Sequence, residues 1–372
     1  MIEKVPQFMP WVGESEYKAI ADCFEKNWIT EGPKSKEFVD RLLKLIGAKY
    51  GVLAPNGTLA IYLALKSLGI GPGDKVMVPD FTFIASANAV VMVGATPIFI
   101  DVNHRNFQID LSAADHLVTP DLKAIMPVHI YGTVCDMDAV ADFAKRHKLL
   151  VVEDAAQAIG VHYKGRHAGT FGDTAAFSFF ADKTLTTAEG GLVVTNDKKV
   201  YEQLLYLRNQ GRIDRGTFIH PEMGFNFRMT DIQSAVGLVQ LDKLNAIRER
   251  KLAILEWYQQ GLSNIKEVTF FTPDPGAEWI PFRVGILCDQ AHELLTYLEQ
   301  NRVEPRTFFY PLHMQPALVK LLNKENIPLN DEDFPNALNA YNRGICLPTF
   351  ATMSKEQVGY VCNVISQFFT DK

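Results

Sequence analysis

The sequence is poor in cysteine, with five in 372 residues, and no two of them share CxxC or zinc-finger spacing. That excludes a disulfide-stapled scaffold and a cysteine-based metal site, and the thiols read as reduced and mostly buried. No long block of one charge occurs. Lys plus Arg number 37 against 43 for Asp plus Glu, a formal net charge of −6. A protein held on nucleic acid by phosphate neutralisation needs the opposite balance. The apolar stretches, such as residues 89–100, are too short and too interrupted to cross a bilayer. The N-terminal MIEKVPQFMPW lacks a basic stretch followed by an apolar run, so no signal peptide is expected and the expected location is cytoplasmic. Repeats and low-complexity tracts are missing as well. No G-x-G-x-x-G follows the first strand, which counts against a dinucleotide-binding domain.

What is present is apolar material, 47% of the residues, enough for a sizeable core in two domains or one large one with an appendage. From about residue 48 to 197, short β-branched runs alternate with amphipathic segments. Strands are expected at 51–54, 75–78, 96–100, 124–128, 149–153 and 192–195. Helices are expected at 59–68, 86–93 and 137–145. This rhythm indicates βα units and a mainly parallel sheet covered on both faces. A long helix is expected at 238–262. Beyond it the order of elements changes, which places a domain boundary near residue 245.

Ligands in such sheets sit at the C-terminal ends of strands, so the residues just after each strand carry the functional signal. Asn56-Gly57-Thr58 lies between a strand and a helix. Glycine admits a close ligand, and the helix start offers free amides to an anion. The same residues also suit an ordinary capped turn. Asp154 follows an apolar strand, where a carboxylate needs a cation or good donors. A protonated ring nitrogen would serve, and so would a capping role. Lys183 lies among small, hydroxyl-bearing and aromatic residues, where an amine loses its proton more readily than in water. A neutral amine is what a Schiff base with an aldehyde requires. Ser178 stands five residues before it.

Together EDAAQAIG (153–160), FSFFADKTLTTAEGG (177–191) and GFNFRMTDIQSAVGL (224–238) resemble the DegT/DnrJ/StrS sugar aminotransferases, and the resemblance covers nearly the whole chain. It implies the fold type I, aspartate-aminotransferase-like α/β architecture. That means a large domain (1–245) with a mainly parallel, mixed seven-stranded sheet between helices, and a smaller C-terminal α+β domain (246–372). The extreme N-terminus is free to pack on the small domain. The resemblance also implies a pyridoxal-phosphate cofactor and a homodimer with shared active sites.

The family pattern assigns roles residue by residue. Lys183 matches its Schiff-base lysine, Asp154 the partner of the pyridine nitrogen, and Gln157 the neighbour of the ring hydroxyl. Gly57, Thr58 and Ser178 match phosphate ligands. Phe83 matches the aromatic that stacks on the cofactor ring, and Asn226 a residue that reaches the phosphate in the partner subunit. Tyr310 and His313 fall in a motif near the sugar. Arg306, Arg212, Arg215 and Lys164 are candidate pyrophosphate contacts. No metal is expected.

A branch of the family that dehydrates sugars carries His at the lysine position, so Lys183 points to amino transfer from an amino acid, glutamate, to a nucleotide-linked keto sugar. Segments 129–138, 209–214 and 306–313 are most similar to the branch that aminates C4 of GDP-4-keto-6-deoxymannose. Gln157 and Ala181-Asp182 depart from that branch, which usually has Glu and Gly-Asn there. A dTDP- or UDP-linked sugar, amination at C3, a lyase on the same fold and a non-catalytic regulator that holds the cofactor are the alternatives.

Overall fold

The computed structural model describes residues 4–212, 216, 218–325 and 327–370. Two helices come first, α1 (Glu14–Glu25) and α2 (Pro33–Ile46). Pro33 starts α2 where no intrahelical donor is needed, and Gly47 ends it at φ 82°, a left-handed conformation that glycine adopts without strain. The apolar stripe of α2 buries Phe38, Leu42 and Ile46. A side chain like Phe38, wholly enclosed, contributes roughly 1.5–3 kcal/mol.

Then β1 (Tyr50–Ala54), α3 (Gly57–Ser67), β2 (Lys75–Pro79), α4 (Ala85–Met92), β3 (Thr96–Ile100) and β4 (Leu122–Ile125) follow. Next come α5 (Met137–His147), β5 (Leu150–Asp154), the small hairpin β6 (His162–Tyr163) and β7 (Arg166–His167), β8 (Thr174–Ser178) and β9 (Gly191–Thr195). The large sheet has seven strands in the order β1-β9-β8-β5-β4-β2-β3. Only β9 runs antiparallel to its neighbours. The central strands β5, β8 and β9 are buried along nearly their whole length, as expected of a sheet with helices on both faces.

Beyond α6 (Lys198–Arg208) runs α7 (Asp231–Gly261), 31 residues long. It begins seven residues before the expected start at 238, because Thr230 and Gln233 form a reciprocal capping box at its head. It passes through residue 245 without a break: before that point Gln240 and Lys243 bond Glu16 of α1 and Asp242 pairs with Arg41 of α2, and after it Gly261 lies against Cys362 of the last helix. The remaining elements are β10 (Thr269–Phe270), β11 (Val284–Leu287), α8 (Ala291–Gln300), β12 (Arg306–Thr307), α9 (Pro316–Leu322), α10 (Pro335–Arg343), β13 (Gly344–Leu347) and α11 (Lys355–Thr370). Their strands form an antiparallel sheet, β10-β11-β13-β12. The N-terminal segment lies on this region: Val5 bridges Val303, and Gln7 Nε2 donates to the Leu347 carbonyl at 3.2 Å.

No described helix is long and apolar enough to cross a membrane.

Candidate active site

The strand ends of the large sheet open into a cavity of about 440 Å³. Gly57, Thr58, Phe83, Asp154, Gln157, Ser178, Lys183 and Arg306 all line it. Residues up to 249 apart in the chain thus meet where the topology predicts a ligand.

Asp154 ends β5 and is 5% exposed. Ser86, in the first turn of α4, donates to its Oδ2 at 2.7 Å, and the Ala156 amide donates to Oδ1 at 3.1 Å. Both donors are neutral. Burial therefore raises the carboxyl above its usual value, and the Ser86 hydrogen bond, the Ala156 amide and the charge of Lys183 only partly offset this. Such a group has room for one cation directed at it from the cavity. The preceding residue, Glu153, points the other way, as strand alternation requires. It is fully buried and accepts from the amides of Gly169, Phe171 and Gly172 at 2.6–2.7 Å and from His129 Nε2 at 2.9 Å.

Lys183 follows β8 in the loop that leads to β9. Burial drives its amine below the usual lysine range; Asp182 opposes this, Arg283 adds to it, and Asp154 opposes it. Nζ stands 4.2 Å from the centroid of the Phe282 ring and 3.9 Å from Asp182 Oδ1. Gln157 Oε1 accepts the Tyr131 amide at 2.7 Å. Tyr131 holds φ 52° and stacks on Phe309 with centroids 5.4 Å apart.

Asn56 caps α3 by accepting the Leu59 amide at 3.0 Å, which leaves the first helical amides turned to the cavity mouth. A Cβ built on Gly57 would lie 2.7 Å from Ser178 Cβ and 2.9 Å from its Oγ. The absence of a side chain is what lets the helix start and Ser178 approach each other. This is a cradle for a doubly charged, oxygen-rich group. Phe83 is 56% exposed and lies over the opening, its ring 6.0 Å from that of Phe309. An aromatic cation with a phosphate tail fits this set: cradle, carboxylate, buried amine and ring platform. Those are the attributes of pyridoxal phosphate.

Other expected residues lie elsewhere. His313 is 2% exposed and does not line the cavity. Its amide and Nδ1 bind the two oxygens of Asp80, each at 2.7 Å, so it ties the 312–314 turn to the end of β2. Tyr310 packs edge-on against Tyr341, also outside the cavity. Lys164 sits in the turn between β6 and β7 and is ion-paired with Asp138 at 2.5 Å. The carbonyl of Arg212 accepts from Asn209 Nδ2 at 2.9 Å, and its guanidinium lies over Phe218. Arg215 falls outside the described residues. Asn226 is exposed, bonded to Arg228 Nε at 2.8 Å, and does not line this chain's cavity. The sequence reading missed Ser86, Tyr131, Phe282 and Arg283. Only Ser86 carried a signal, since it opens a helix just after a strand-end turn in the same segment as Phe83.

Residues 10–366 match the DegT/DnrJ/EryC1/StrS aminotransferase family. The chain is 37% identical over 370 residues to the GDP-perosamine synthase of Escherichia coli O157:H7, covering 99% of each. It superposes on S. venezuelae DesV, solved in complex with a ketimine intermediate, with TM-score 0.90, 30% identity and 98% of each chain covered. It also superposes on the PLP form of a putative sugar aminotransferase, Spr1654 from Streptococcus pneumoniae, with TM-score 0.90 and 26% identity, over 100% of this chain and 99% of that one. From the match along nearly its whole length, the chain belongs to the DegT/DnrJ/EryC1/StrS family of pyridoxal-phosphate-dependent sugar aminotransferases.

Proposed function

We propose that this protein moves an amino group from glutamate to the C4 keto carbon of GDP-4-keto-6-deoxymannose. The observation that carries the reading is the meeting of Lys183, Asp154 and the Gly57–Ser178 cradle in one cavity. Lys183 is the lysine that bonds to the cofactor aldehyde. A nucleophilic amine must be neutral, and burial favours that form here. Asp154 supplies the counter-charge that keeps the pyridine nitrogen protonated, and Ser86 holds its orientation. The α3 amides, Thr58 and Ser178 take the phosphate, with the helix dipole in their favour. Phe83 covers one face of the ring and keeps water from it. Gln157 stands beside the ring hydroxyl. The bound cofactor supplies an electron sink for the carbon that exchanges its proton. With its amine free, Lys183 Nζ would be the base that carries that proton.

The GDP-perosamine synthase relative supports the guanine base, and the resemblance of segments 129–138, 209–214 and 306–313 supports C4. Arg306, exposed at the cavity mouth, is the candidate for the pyrophosphate. A homodimer completes the site, with Asn226 reaching the partner's cofactor. Its support is the exposed apolar group near Asn226, with Phe218 and Met223 each 87% exposed and Ile219 75%.

The test is turnover with glutamate against GDP-, dTDP- and UDP-linked 4-keto-6-deoxy sugars, with the new C–N bond located by NMR. Amination of the GDP sugar at C4 is expected. An amino sugar formed only from a dTDP- or UDP-linked keto-sugar acceptor refutes the substrate, and none from any of them refutes the reaction.

A further inference from the structure

The loop that carries Lys183 also carries a buried acid whose charge is half used. Arg283 Nη2 donates to Asp182 Oδ2 at 2.6 Å. The other oxygen, Oδ1, is buried and has no hydrogen-bond partner. An ionised oxygen left so is costly, and a donor close by relieves the cost. Lys183 Nζ lies 3.9 Å from it, about 1 Å too far for a hydrogen bond. Its stem is flexible enough to close that gap.

Arg283 itself is fixed. Its guanidinium lies 4.7 Å from the Phe282 ring centroid and 5.8 Å from that of Phe8. The Phe282 ring also carries Lys183 Nζ at 4.2 Å. Lys251, the other buried amine in this cluster, is spent on the Pro281 carbonyl at 3.1 Å. So Asp182 is held rigidly by one cation, while its free oxygen faces a second, mobile one.

We propose that Asp182, held by Arg283, receives the Lys183 amino group whenever that amine is not bonded to the cofactor. Asp182 is then a positioning residue that keeps the released lysine beside its next proton transfer. The inference rests on the reading of Lys183 as the cofactor-bonding lysine. The groups that bias Lys183 come from four directions. Asp182 is on its own loop, Asp154 at the end of β5, Arg283 at the start of β11 and Lys251 on α7. Glu189 and Arg306 line the cavity farther out. Asp182 and Asp154 favour the ammonium, and Arg283 opposes it.

The experiment uses the full-length protein loaded with pyridoxamine 5′-phosphate, which leaves Lys183 free. Trace acetylation with acetic anhydride across pH, read by peptide mass spectrometry, gives the midpoint at which Lys183 becomes reactive. Asp182→Asn keeps the shape and the Arg283 contact but removes the charge, and its midpoint is expected to fall by about one pH unit. Arg283→Met frees Asp182 for the lysine and is expected to raise it. A role in packing alone moves neither midpoint, or moves both the same way. An Asp182→Asn midpoint within about 0.2 pH unit of wild type, or above it, overturns the inference. Borohydride reduction of the pyridoxal-phosphate-loaded protein separates the two claims. Cofactor mapped to another lysine refutes the underlying reading, whereas cofactor on Lys183 with an unmoved midpoint refutes only the role of Asp182.

Discussion

Replacing Gly57 with alanine should weaken cofactor capture about ten- to a hundredfold while costing the fold about 0–2 kcal/mol. The new methyl would sit 2.7 Å from Ser178 Cβ, and ordinary contact begins at 3.4 Å, so the two elements must separate by about 0.7 Å. Forcing extra volume into a packed site costs about 1–3 kcal/mol. Alanine at a helical position returns up to about 1 kcal/mol over glycine, so the net loss of stability is about 0–2 kcal/mol. The loss in binding is larger. A separation of that size spoils one hydrogen bond to a charged phosphate, worth about 1.5–3 kcal/mol, which is a factor of roughly ten to a hundred in Kd. Apo-protein titrated with pyridoxal phosphate and followed by absorbance gives the affinity, and thermal melting of the apo form gives the stability. Pyridoxal, which has no phosphate, should bind wild type and variant alike. A variant that binds the phosphorylated cofactor within about threefold of wild type, or that loses pyridoxal equally, would refute the cradle.

The purified protein should be yellow, with an absorbance that shifts on adding glutamate, and Lys183→Ala should take no borohydride-stable label while melting close to wild type; labelling of the variant would sink the role of that lysine. Lys251 is buried and titrates at about 7 rather than the usual 10.5, so between those values the unfolded chain binds the extra proton and stability rises with pH. Lys251→Met should flatten that slope between about pH 7 and 9, below the range where buried thiols such as Cys288, raised from 9.0 to about 11, act in the opposite sense. Urea unfolding at several pH values measures it, and an unchanged slope counts against a neutral buried amine. Asp80→Asn, which breaks the fully enclosed pair with His313, should cost about 3–5 kcal/mol in the same assay; a loss under about 1 kcal/mol would show that the tie contributes little.

Much of this site was legible because its chemistry sits at strand ends. An apolar run followed by Asp154 marks both the strand and the residue that leaves it, whereas β8, which Ser178 ends, was not among the expected strands. The helices after β1 and β2 were visible too, though they start at Gly57 and Ala85 rather than at 59 and 86, and only the first has a capping side chain, Asn56. The parts that stayed hidden depend on distant pairing. Ser86 meets Asp154 across 68 positions, and Arg283 meets Asp182 across 101. Nothing in either local stretch announces its partner. His313 shows the converse. Its motif placed it near the sugar, yet the buried Asp80 carboxylate claims its amide and its ring nitrogen. The start of α7 was missed because a capping box at Thr230 outweighed the weak apolar period of the first turns.

The last two residues of β5 are both acids, and the pleat sends them to opposite sides of the sheet. One organises a turn from beneath; the other faces the ligand chamber. Deleting or inserting a single residue within that strand would exchange their destinations. The chamber would then gain a carboxylate stripped of its serine tether, and the turn would lose the anchor for three amides at once. Chemistry and architecture are therefore coupled at this point in the chain, and a variant library that permits length changes in β5 should return almost no active members.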